Sequence, residues 1–217
     1  MRLAAPASIT AFWIAFALAS AASLEKVIVI AVEGEPPPAL LRGVEFGVAE
    51  MAVTAQLLGR EVTLTRDGSD VSGVVAAGER PAGARRDVPT IHVGTRPANA
   101  GACDFSIAAT RSAEGAGETI VLWHATLDRY GASELNDRYT RQYGEGMTGD
   151  AWAGWAAVKA LVESALRRLE NDDPCAALGR LRFDGHKGRA LTFDPDTRIL
   201  SQPLYIVRNG RVTGEVK

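Results

Sequence analysis

The chain has 217 residues, of which 47% are hydrophobic and 23% are charged, a balance typical of folded proteins. Its 22 glycines and 10 prolines make up about 15% of the residues, well below the share of roughly 25–30% typical of low-complexity chains. The 24 Lys and Arg residues and 26 Asp and Glu residues give a net charge of −2. Since no overall basic excess is available to neutralise a phosphate backbone, we do not expect nucleic acid to be a partner.

The first 22 residues have the pattern of a secretory signal peptide. Arg2 precedes an apolar run from Ile9 to Leu18, and a string of small residues follows. A membrane anchor needs roughly 20 apolar residues to cross the hydrocarbon core, and this run is about half that long. We therefore predict a signal peptide at residues 1–21, cleaved rather than kept as an anchor, and an exported product with no stable membrane insertion.

Export would place the two cysteines, Cys103 and Cys175, in an oxidising compartment, where they can pair across a long loop. The alternative is that each is a small buried hydrophobic residue without a covalent partner. Neither lies in a C-x-x-C motif or at ligand spacing from a histidine, so no redox or metal site is predicted. A disulfide would require the two Cα atoms to lie within roughly 7 Å, and both interpretations stay open.

The next residues predict a strand, a helix and a second strand. Residues Lys26 to Val32 form a β-branched run that is typical of a strand buried on both faces. Apolar residues spaced by three and four predict an amphipathic helix from Leu40 to Leu58, with Gly59 at its C-terminal cap. A strand at residues 61–65 follows, and strands connected in this way run parallel.

Short strands separated by turns are predicted from residue 61 to residue 123. Their connectors are too short for full crossover helices, which leaves antiparallel pairing open for some of them. Helical periodicity returns at Ser133, and a long helix is predicted from Asp150 to Glu170, with Asp150 as its N-cap. After a short helix, two further strands are predicted, and Asn209-Gly210 indicates a hairpin turn.

These elements predict an α/β fold with a single, mainly parallel sheet and flanking helices. We expect residues 22–182 to form the α/β lobe and residues 183–217 to form a C-terminal β extension of the same domain. Burial of the apolar faces requires the helices at 40–58 and 150–170 to cover one shared sheet, in which residues 26–32 form an interior strand. We expect the closing segment, Phe183–Val212, to lie outside that core.

Two signals of other chemistry are weak. Residues 144–149 match the dinucleotide-binding pattern G-x-G-x-x-G, but that pattern requires a preceding strand, and residues 135–143 have helical periodicity. We interpret it as a Gly-rich turn between helices, and we predict no cofactor. A hydrolytic or metal-dependent enzyme built on His92 and His124 would need these side chains to converge with acids in the fold, and it is the weakest interpretation.

Four segments resemble, in the same order, the type I periplasmic solute-binding proteins of ABC importers, of the branched-chain amino-acid-binding type. KVIVIAVEGE with LLRGVEFGVAEMAVTAQLLGREVTL is similar to the opening strand, helix and second strand of that family. VPTIHVGTRPANAGACDFSIAATRS resembles a later strand and the cysteine-containing segment of the first lobe. TIVLWHATLDRYGASELNDRYTRQYGEGMTGDAWAGWAAVKALVESAL and FDGHKGRALTFDPDTRILSQPLYIV resemble the segment that returns to that lobe and the closing element.

The resemblance implies a periplasmic protein without enzyme activity that binds a small organic solute for an ABC importer. The segments at 123–139 and 187–207 are most similar to a subgroup associated with pyrroloquinoline-quinone (PQQ)-dependent alcohol catabolism. The partners it implies are an ABC permease or a periplasmic quinoprotein dehydrogenase or cytochrome. Between Thr110 and Glu118, where the family carries most of its second lobe, this chain has only RSAEGAG. We therefore expect one lobe of a type I periplasmic-binding fold, with most of the second absent.

Ligands of open α/β sheets bind beyond the carboxyl ends of the strands. The candidate ligand-binding residues at those turns are Glu33, Gly34, Gly78, Glu79, Thr95, Arg96, Trp123 and His124. Arg96 could pair with a carboxylate, and Thr95 could donate a hydroxyl hydrogen bond to it. The alternative is that both are ordinary turn residues and that Trp123 belongs to the core.

Loss of a lobe also suggests a different class of function. A one-lobe remnant would expose surface that the second lobe once covered, and a large exposed apolar patch marks a partner surface. The alternative function is therefore a periplasmic accessory module that has lost ligand binding and docks to another protein or forms a homodimer.

Overall fold

The computed structural model describes residues 26–66, 70–78, 87–94, 97–108 and 118–216. The signal peptide predicted at residues 1–21 lies outside these ranges. Among the helices within them, none combines the length and the apolar character that crossing a membrane requires.

A five-stranded parallel sheet forms the centre of the fold. Its strands are β1 (Val27–Gly34), β2 (Glu61–Thr65), β3 (Gly73–Ala77), β4 (Thr90–Val93) and β5 (Asp104–Ile107). Their order is β2-β1-β3-β4-β5, and every neighbouring pair is parallel. The predictions of a parallel sheet and of β1 as an interior strand are confirmed, and antiparallel pairing among these five strands is excluded.

Both faces of β1 are buried at its centre, around residues 30–32, where its sequence is apolar. Ile28, Ile30 and Val32 face the main core with the helices. Ala31 belongs to a smaller cluster on the opposite face, whose buried members are Ala31, Val74, Ala76 and Val88. Since a half-exposed strand would alternate apolar and polar residues, the run at 27–32 specifies burial on both sides.

Within the described ranges, four helices accompany the sheet: α1 (Pro38–Leu57), α2 (Ala132–Tyr143), α3 (Gly149–Arg167) and α4 (Pro174–Gly179). The turn between α2 and α3 contains the Gly-rich motif, in agreement with its interpretation as an interhelical connection.

Gly59 terminates α1 as the sequence predicts. Its φ is +69°, a conformation that glycine adopts without the penalty that a Cβ atom brings. The N–H of Gly59 donates to the carbonyl of Gln56 at 3.0 Å, and the N–H of Arg60 donates to that of Ala55 at 2.9 Å. These two hydrogen bonds form a Schellman motif, which satisfies carbonyl groups left without partners at the helix end.

The N-terminus of α3 differs from its prediction. Thr148 is the N-cap, and its hydroxyl accepts a hydrogen bond from the N–H of Ala151 at 3.3 Å. Asp150 lies in the first turn instead, and the helix ends at Arg167 rather than at Glu170. Threonine and aspartate are both favourable near a helix start, so composition alone does not choose between them.

The helices α1 and α3 are in direct contact although residues 58–148 separate them in the chain. A Cβ atom on Gly43 would lie 2.0 Å from the carbonyl oxygen of Ala151, and one on Gly154 would lie 2.5 Å from that of Leu40. The two backbones therefore approach closely because neither glycine carries a side chain. This packing confirms that both helices contribute to one core over the sheet.

The remaining strands form two small antiparallel sheets. They are β6 (Glu118–Val121), β7 (Phe183–Asp184), β8 (Ala190–Phe193), β9 (Leu200–Ser201), β10 (Leu204–Arg208) and β11 (Arg211–Val216). The sheet orders are β11-β10-β6 and β7-β8-β9. The predicted hairpin is confirmed, because Asn209 and Gly210, with φ of 48° and 70°, connect β10 to β11.

The C-terminal region is a β extension as predicted, but its expected place outside the core was wrong. Its buried side chains belong to the same core as α1 and α3; they include Phe183, Leu191, Phe193, Leu200 and Tyr205. The aromatic rings of Phe105 in β5 and Phe193 in β8 lie 4.9 Å apart. The extension therefore covers apolar surface at the β5 side of the main sheet.

A disulfide joins Cys103 and Cys175. Their Cα atoms lie 4.9 Å apart, within the range that a disulfide requires. The structure therefore agrees with the interpretation in which the two cysteines form a disulfide. The bond fixes α4 to the start of β5.

The glycine crossing gives a stability prediction. Substitution Gly43→Ala places a methyl group against the backbone of α3, and overpacking of this kind costs roughly 1–3 kcal/mol or more. The gain in helix propensity offsets about 1 kcal/mol of that cost. We expect a lower midpoint of urea denaturation, whereas Thr54→Ala on the exposed side of α1 leaves the midpoint nearly unchanged. Equal midpoints for wild type and Gly43→Ala would contradict the close helix crossing.

Candidate functional site

A cavity of about 420 Å³ lies at the carboxyl ends of β3 and β4. It is lined by Glu35, Pro37, Leu40, Ala77, Gly78, Val93, Gly94 and Asp150. The strand order is β2-β1-β3-β4-β5, so the chain adds β2 on one side of β1 and then β3, β4 and β5 on the other. The boundary between β1 and β3 is therefore the point at which the strand order reverses. Open α/β sheets bind ligands in the crevice at such a switch point, so the cavity lies where this topology favours binding.

The lining combines apolar and charged groups. Pro37, Leu40 and Val93 supply apolar surface, while Glu35 and Asp150 supply two carboxyl groups. Both long helices begin beside the cavity, because Pro37 precedes α1 and Asp150 lies in the first turn of α3. Helix N-termini favour negative charge, and carboxylates favour positive charge. The site therefore suits a small organic molecule that has an apolar body and polar ends.

The two turns that border the cavity expose their backbone to it. Gly78 and Gly94 have φ of 82° and 107°, and a Cβ atom on either would meet no atom of the described residues within 4 Å. Space at these turns leaves their peptide groups accessible to a ligand. Gly34, at the end of β1, differs, because a Cβ atom there would lie 2.2 Å from the carbonyl oxygen of Ala77. Its role is to let β1 and β3 approach each other.

Glu33 lies on the opposite face of the sheet from the helices. Its register partner is Ala76, and it shares the face of Ala31. Among the described residues, its Oε2 atom is buried without a hydrogen-bond partner. Glu33 is close in sequence to Glu35, which lines the cavity, but Glu33 itself is not part of the lining.

Three other candidates, Glu79, Thr95 and Arg96, lie outside the described residues. Glu79 follows Gly78 directly in the chain, and Thr95 follows Gly94. Their roles in ligand binding remain predictions.

Trp123 is not brought to the cavity. The strand before it, β6, pairs with β10 in a separate antiparallel sheet, so its carboxyl end does not align with those of β3 and β4. The Trp123 ring is 1% exposed and stacks on Trp152, with 5.9 Å between ring centroids. Its indole N–H donates to Oδ1 of Asn136 at 2.8 Å. Trp123 is a core residue, and the strand before it lies in an antiparallel sheet rather than in the main parallel one.

Asn136 also fixes the chain around His124. Its side-chain amide donates to the carbonyl oxygens of Ala125 and Leu127, each at 3.1 Å. The Nδ1 atom of His124 lies 2.9 Å from the hydroxyl of Thr126 in the same turn. His124 therefore participates in a local turn. No sequence pattern predicts this structural role of Asn136, because it is one polar residue among many in α2.

The other two histidines have partners of their own. His92 is buried in β4, with Nε2 2.9 Å from Oδ1 of Asp104 in the neighbouring strand. His186 lies against the ring of Trp155, with 5.6 Å between centroids, and burial lowers the pKa of its imidazole. The three histidines thus contact different residues.

Lys187 is an unusual residue that the sequence analysis missed. Its side chain is buried, and its Nζ donates to the carbonyl oxygens of Leu122 at 2.6 Å and Pro203 at 3.0 Å. A third hydrogen bond, at 2.8 Å, reaches Oε1 of Gln202. The Nζ atom also lies 3.9 Å from the centroid of the Trp152 ring. Three acceptors and an aromatic face match the three N–H groups of an ammonium ion.

Burial lowers the pKa of Lys187 well below its usual value, while the three acceptors favour retention of its proton. Within the described residues, its hydrogen bonds reach two backbone carbonyls and the Gln202 amide rather than a carboxylate, and its contacts are with the protein's own backbone and core. The arrangement indicates a structural cation rather than a ligand-binding one. A lysine in the turn Gly-His-Lys-Gly carries no local pattern that predicts this burial.

The substitution Lys187→Met tests this role. It keeps the apolar stem but leaves three acceptors without a donor, and unsatisfied buried acceptors cost roughly 1–3 kcal/mol each. Relief of the buried charge offsets part of this cost, so we expect a loss of about 3 kcal/mol in the free energy of unfolding. Urea denaturation provides the measurement, with Lys26→Met at an exposed position as the control. A Lys187→Met variant as stable as wild type would show that the ammonium contacts contribute nothing.

Comparison with known proteins gives weak similarities to solved structures. An ABC transporter substrate-binding protein from Sphaerobacter thermophilus superposes with a TM-score of 0.41 at 12% identity, covering 88% of this chain and 60% of that one. A solute-binding protein of an ABC transporter from Rhodopseudomonas palustris, in complex with 3,4-dihydroxybenzoic acid, has a TM-score of 0.39 at 13% identity, covering 89% and 61%.

The branched-chain amino acid transporter substrate-binding protein of Streptococcus pneumoniae, in complex with isoleucine, has a TM-score of 0.36 at 14% identity, covering 88% and 59%. The chain thus spans about three fifths of the length of these solved chains. No family model matches the chain, and no curated protein matches it significantly.

Proposed function

We propose that this protein is an exported solute-binding component of an ABC import system, which takes a small organic solute into the cavity between β3, β4 and the N-termini of α1 and α3. The observation that carries the proposal is the position of this cavity at the switch point of the sheet. The four segments that resemble periplasmic solute-binding proteins support the same class of function.

The lining narrows the chemistry of the solute. A volume of about 420 Å³ accommodates a small molecule, and pockets for such ligands are usually apolar with a few placed polar groups. Leu40 and Val93 would cover an apolar part of the solute. The carboxyl groups of Glu35 and Asp150 would receive hydrogen-bond donors, such as hydroxyl or amino groups.

The proposed setting is the periplasm, reached through the signal peptide at residues 1–21. The further link to PQQ-dependent alcohol catabolism rests on the resemblance of the segments at 123–139 and 187–207. Short alcohols and the acids derived from them therefore belong among the solutes to test, together with branched-chain amino acids and PQQ itself.

Isothermal titration of the full chain with each of these solutes tests the proposal. We expect heat of binding with at least one class, and we expect Val93→Phe to weaken that binding at least tenfold because the added ring occupies the cavity. Val212→Phe, a half-buried valine in β11, is the matched control and should bind as wild type does. The absence of heat with every solute would leave the proposed binding without support.

A specific surface feature favours the alternative function, a periplasmic accessory module that docks to a protein. Val53, Leu57 and Leu58, near the end of α1, are exposed, and Leu57 is 83% exposed. Adjacent exposed apolar side chains of this size mark interaction surfaces more often than single ones do. A second copy of this chain or a periplasmic dehydrogenase or cytochrome could cover them.

Analytical ultracentrifugation at micromolar concentration separates the two functions. An accessory module that dimerises sediments as a dimer, and the double substitution Leu57→Ser/Leu58→Ser returns it to a monomer. Gln56→Ser on the same exposed turn controls for effects on the helix itself. A wild-type monomer that also captures no periplasmic dehydrogenase or cytochrome would refute the accessory role.

A further inference from the structure

A depression of about 320 Å³ at the carboxyl ends of α3 and α4 is rich in arginine. Its lining consists of Ser164, Arg167, Arg168, Asp172, Ala177, Arg180, Leu181 and Arg182. Asp150, in the lining of the solute cavity, lies in the first turn of α3, whereas this depression adjoins the last turn. The helix length separates the two regions by about 25 Å. The depression is therefore a different part of the molecule.

Two arginines of this depression, Arg180 and Arg182, have little or no negative charge against them among the described residues. Arg167 pairs with Glu163, which also holds Lys159 at 2.6 Å. Within the described residues, Arg180 has one ion-pair partner, Asp172, at 3.7 Å, and its side chain is 65% exposed. The guanidinium group of Arg182 makes no ion pair within the described part of the chain. Two arginines, Arg180 and Arg182, thus retain donors for an external anion.

The helix dipole accounts for only part of the cluster. Arg167 lies in the last turn of α3, where a cation offsets the partial negative charge of the helix end. Arg180 and Arg182 belong instead to the end of α4 and the chain that follows it. Leu181, between them, is buried in the main core. Anchoring of Leu181 fixes the backbone from which both exposed arginines extend beside the depression.

Arginine is suited to one class of anion in particular. Its planar guanidinium group presents paired N–H donors that match two oxygens of a phosphate group. Several such groups around a concave surface can contact different oxygens of the same phosphate. A carboxylate offers only two oxygens and a single charge, so it makes less use of the cluster.

We propose that this depression is a binding site for a phosphate group, held by Arg180 and Arg182 with Arg167 at its edge. The group belongs either to a free phosphate compound or to the headgroup of an anionic lipid. The site is independent of the solute cavity and does not depend on the function proposed above.

The test compares wild type with Arg180→Gln/Arg182→Gln, in which both exposed guanidinium groups are removed. Isothermal titration uses inorganic phosphate, with chloride at matched ionic strength as the blank. A parallel arm measures co-sedimentation with phosphatidylcholine vesicles that contain or lack phosphatidylglycerol. We expect at least a roughly tenfold loss of affinity in the double variant, as removal of two charge-assisted contacts implies.

A matched control variant has the same net charge as Arg180→Gln/Arg182→Gln. Arg141→Gln/Arg211→Gln removes two exposed arginines elsewhere and should change affinity by no more than about twofold. Binding of inorganic phosphate identifies a free phosphate as the ligand, and binding only to phosphatidylglycerol vesicles identifies the lipid. Absence of binding in both arms, or equal weakening in the two double variants, overturns the proposal.

Discussion

The buried ammonium group of Lys187 is the interaction on which the joining of the two halves of the fold depends. Its hydrogen bonds reach Leu122, after β6, and the connection at residues 202–203, while its charge faces Trp152 in α3. Four separate segments of chain therefore meet at one atom. Because a desolvated cation requires all of its acceptors, the contacts at Lys187 form together or not at all. The same segments contribute side chains to the single core that contains both α3 and the C-terminal strands.

The two ends of α3 have different chemistry as a result of the same architecture. Its N-terminus lies beside the turns after β3 and β4, where glycines leave the peptide backbone open and the lining is partly apolar. Its C-terminus lies beside α4, where arginines surround a shallow depression. The disulfide between Cys103 and Cys175 joins α4, beside this second region, to the start of β5 in the main sheet.

Local patterns in the sequence predicted local structure well. The apolar run at 27–32, the spacing within α1 and Gly59 each specify their structure through the backbone nearby. Apart from the two ends of α3, the failures concern contacts between distant parts of the chain. Trp123 follows a correctly predicted strand, but which sheet that strand joins depends on β10, more than 80 residues later. Lys187 has no sequence signal, because its acceptors come from Leu122 and residues 202–203. Glu79, Thr95 and Arg96 lie outside the described residues, so that part of the candidate site remains a prediction.

The close crossing of α1 and α3 also determines the order in which this chain can acquire its structure. The face of α1 that contains Gly43 and Gly47 packs against residues that follow Thr148. A growing chain that ends before Gly149 therefore leaves this face, and the side of β1 that bears Ile28 and Ile30, without its cover. Contacts so distant in sequence form late and slowly. The N-terminal half therefore keeps apolar surface exposed until the last third of the protein has been made, and surface of this kind is prone to aggregation.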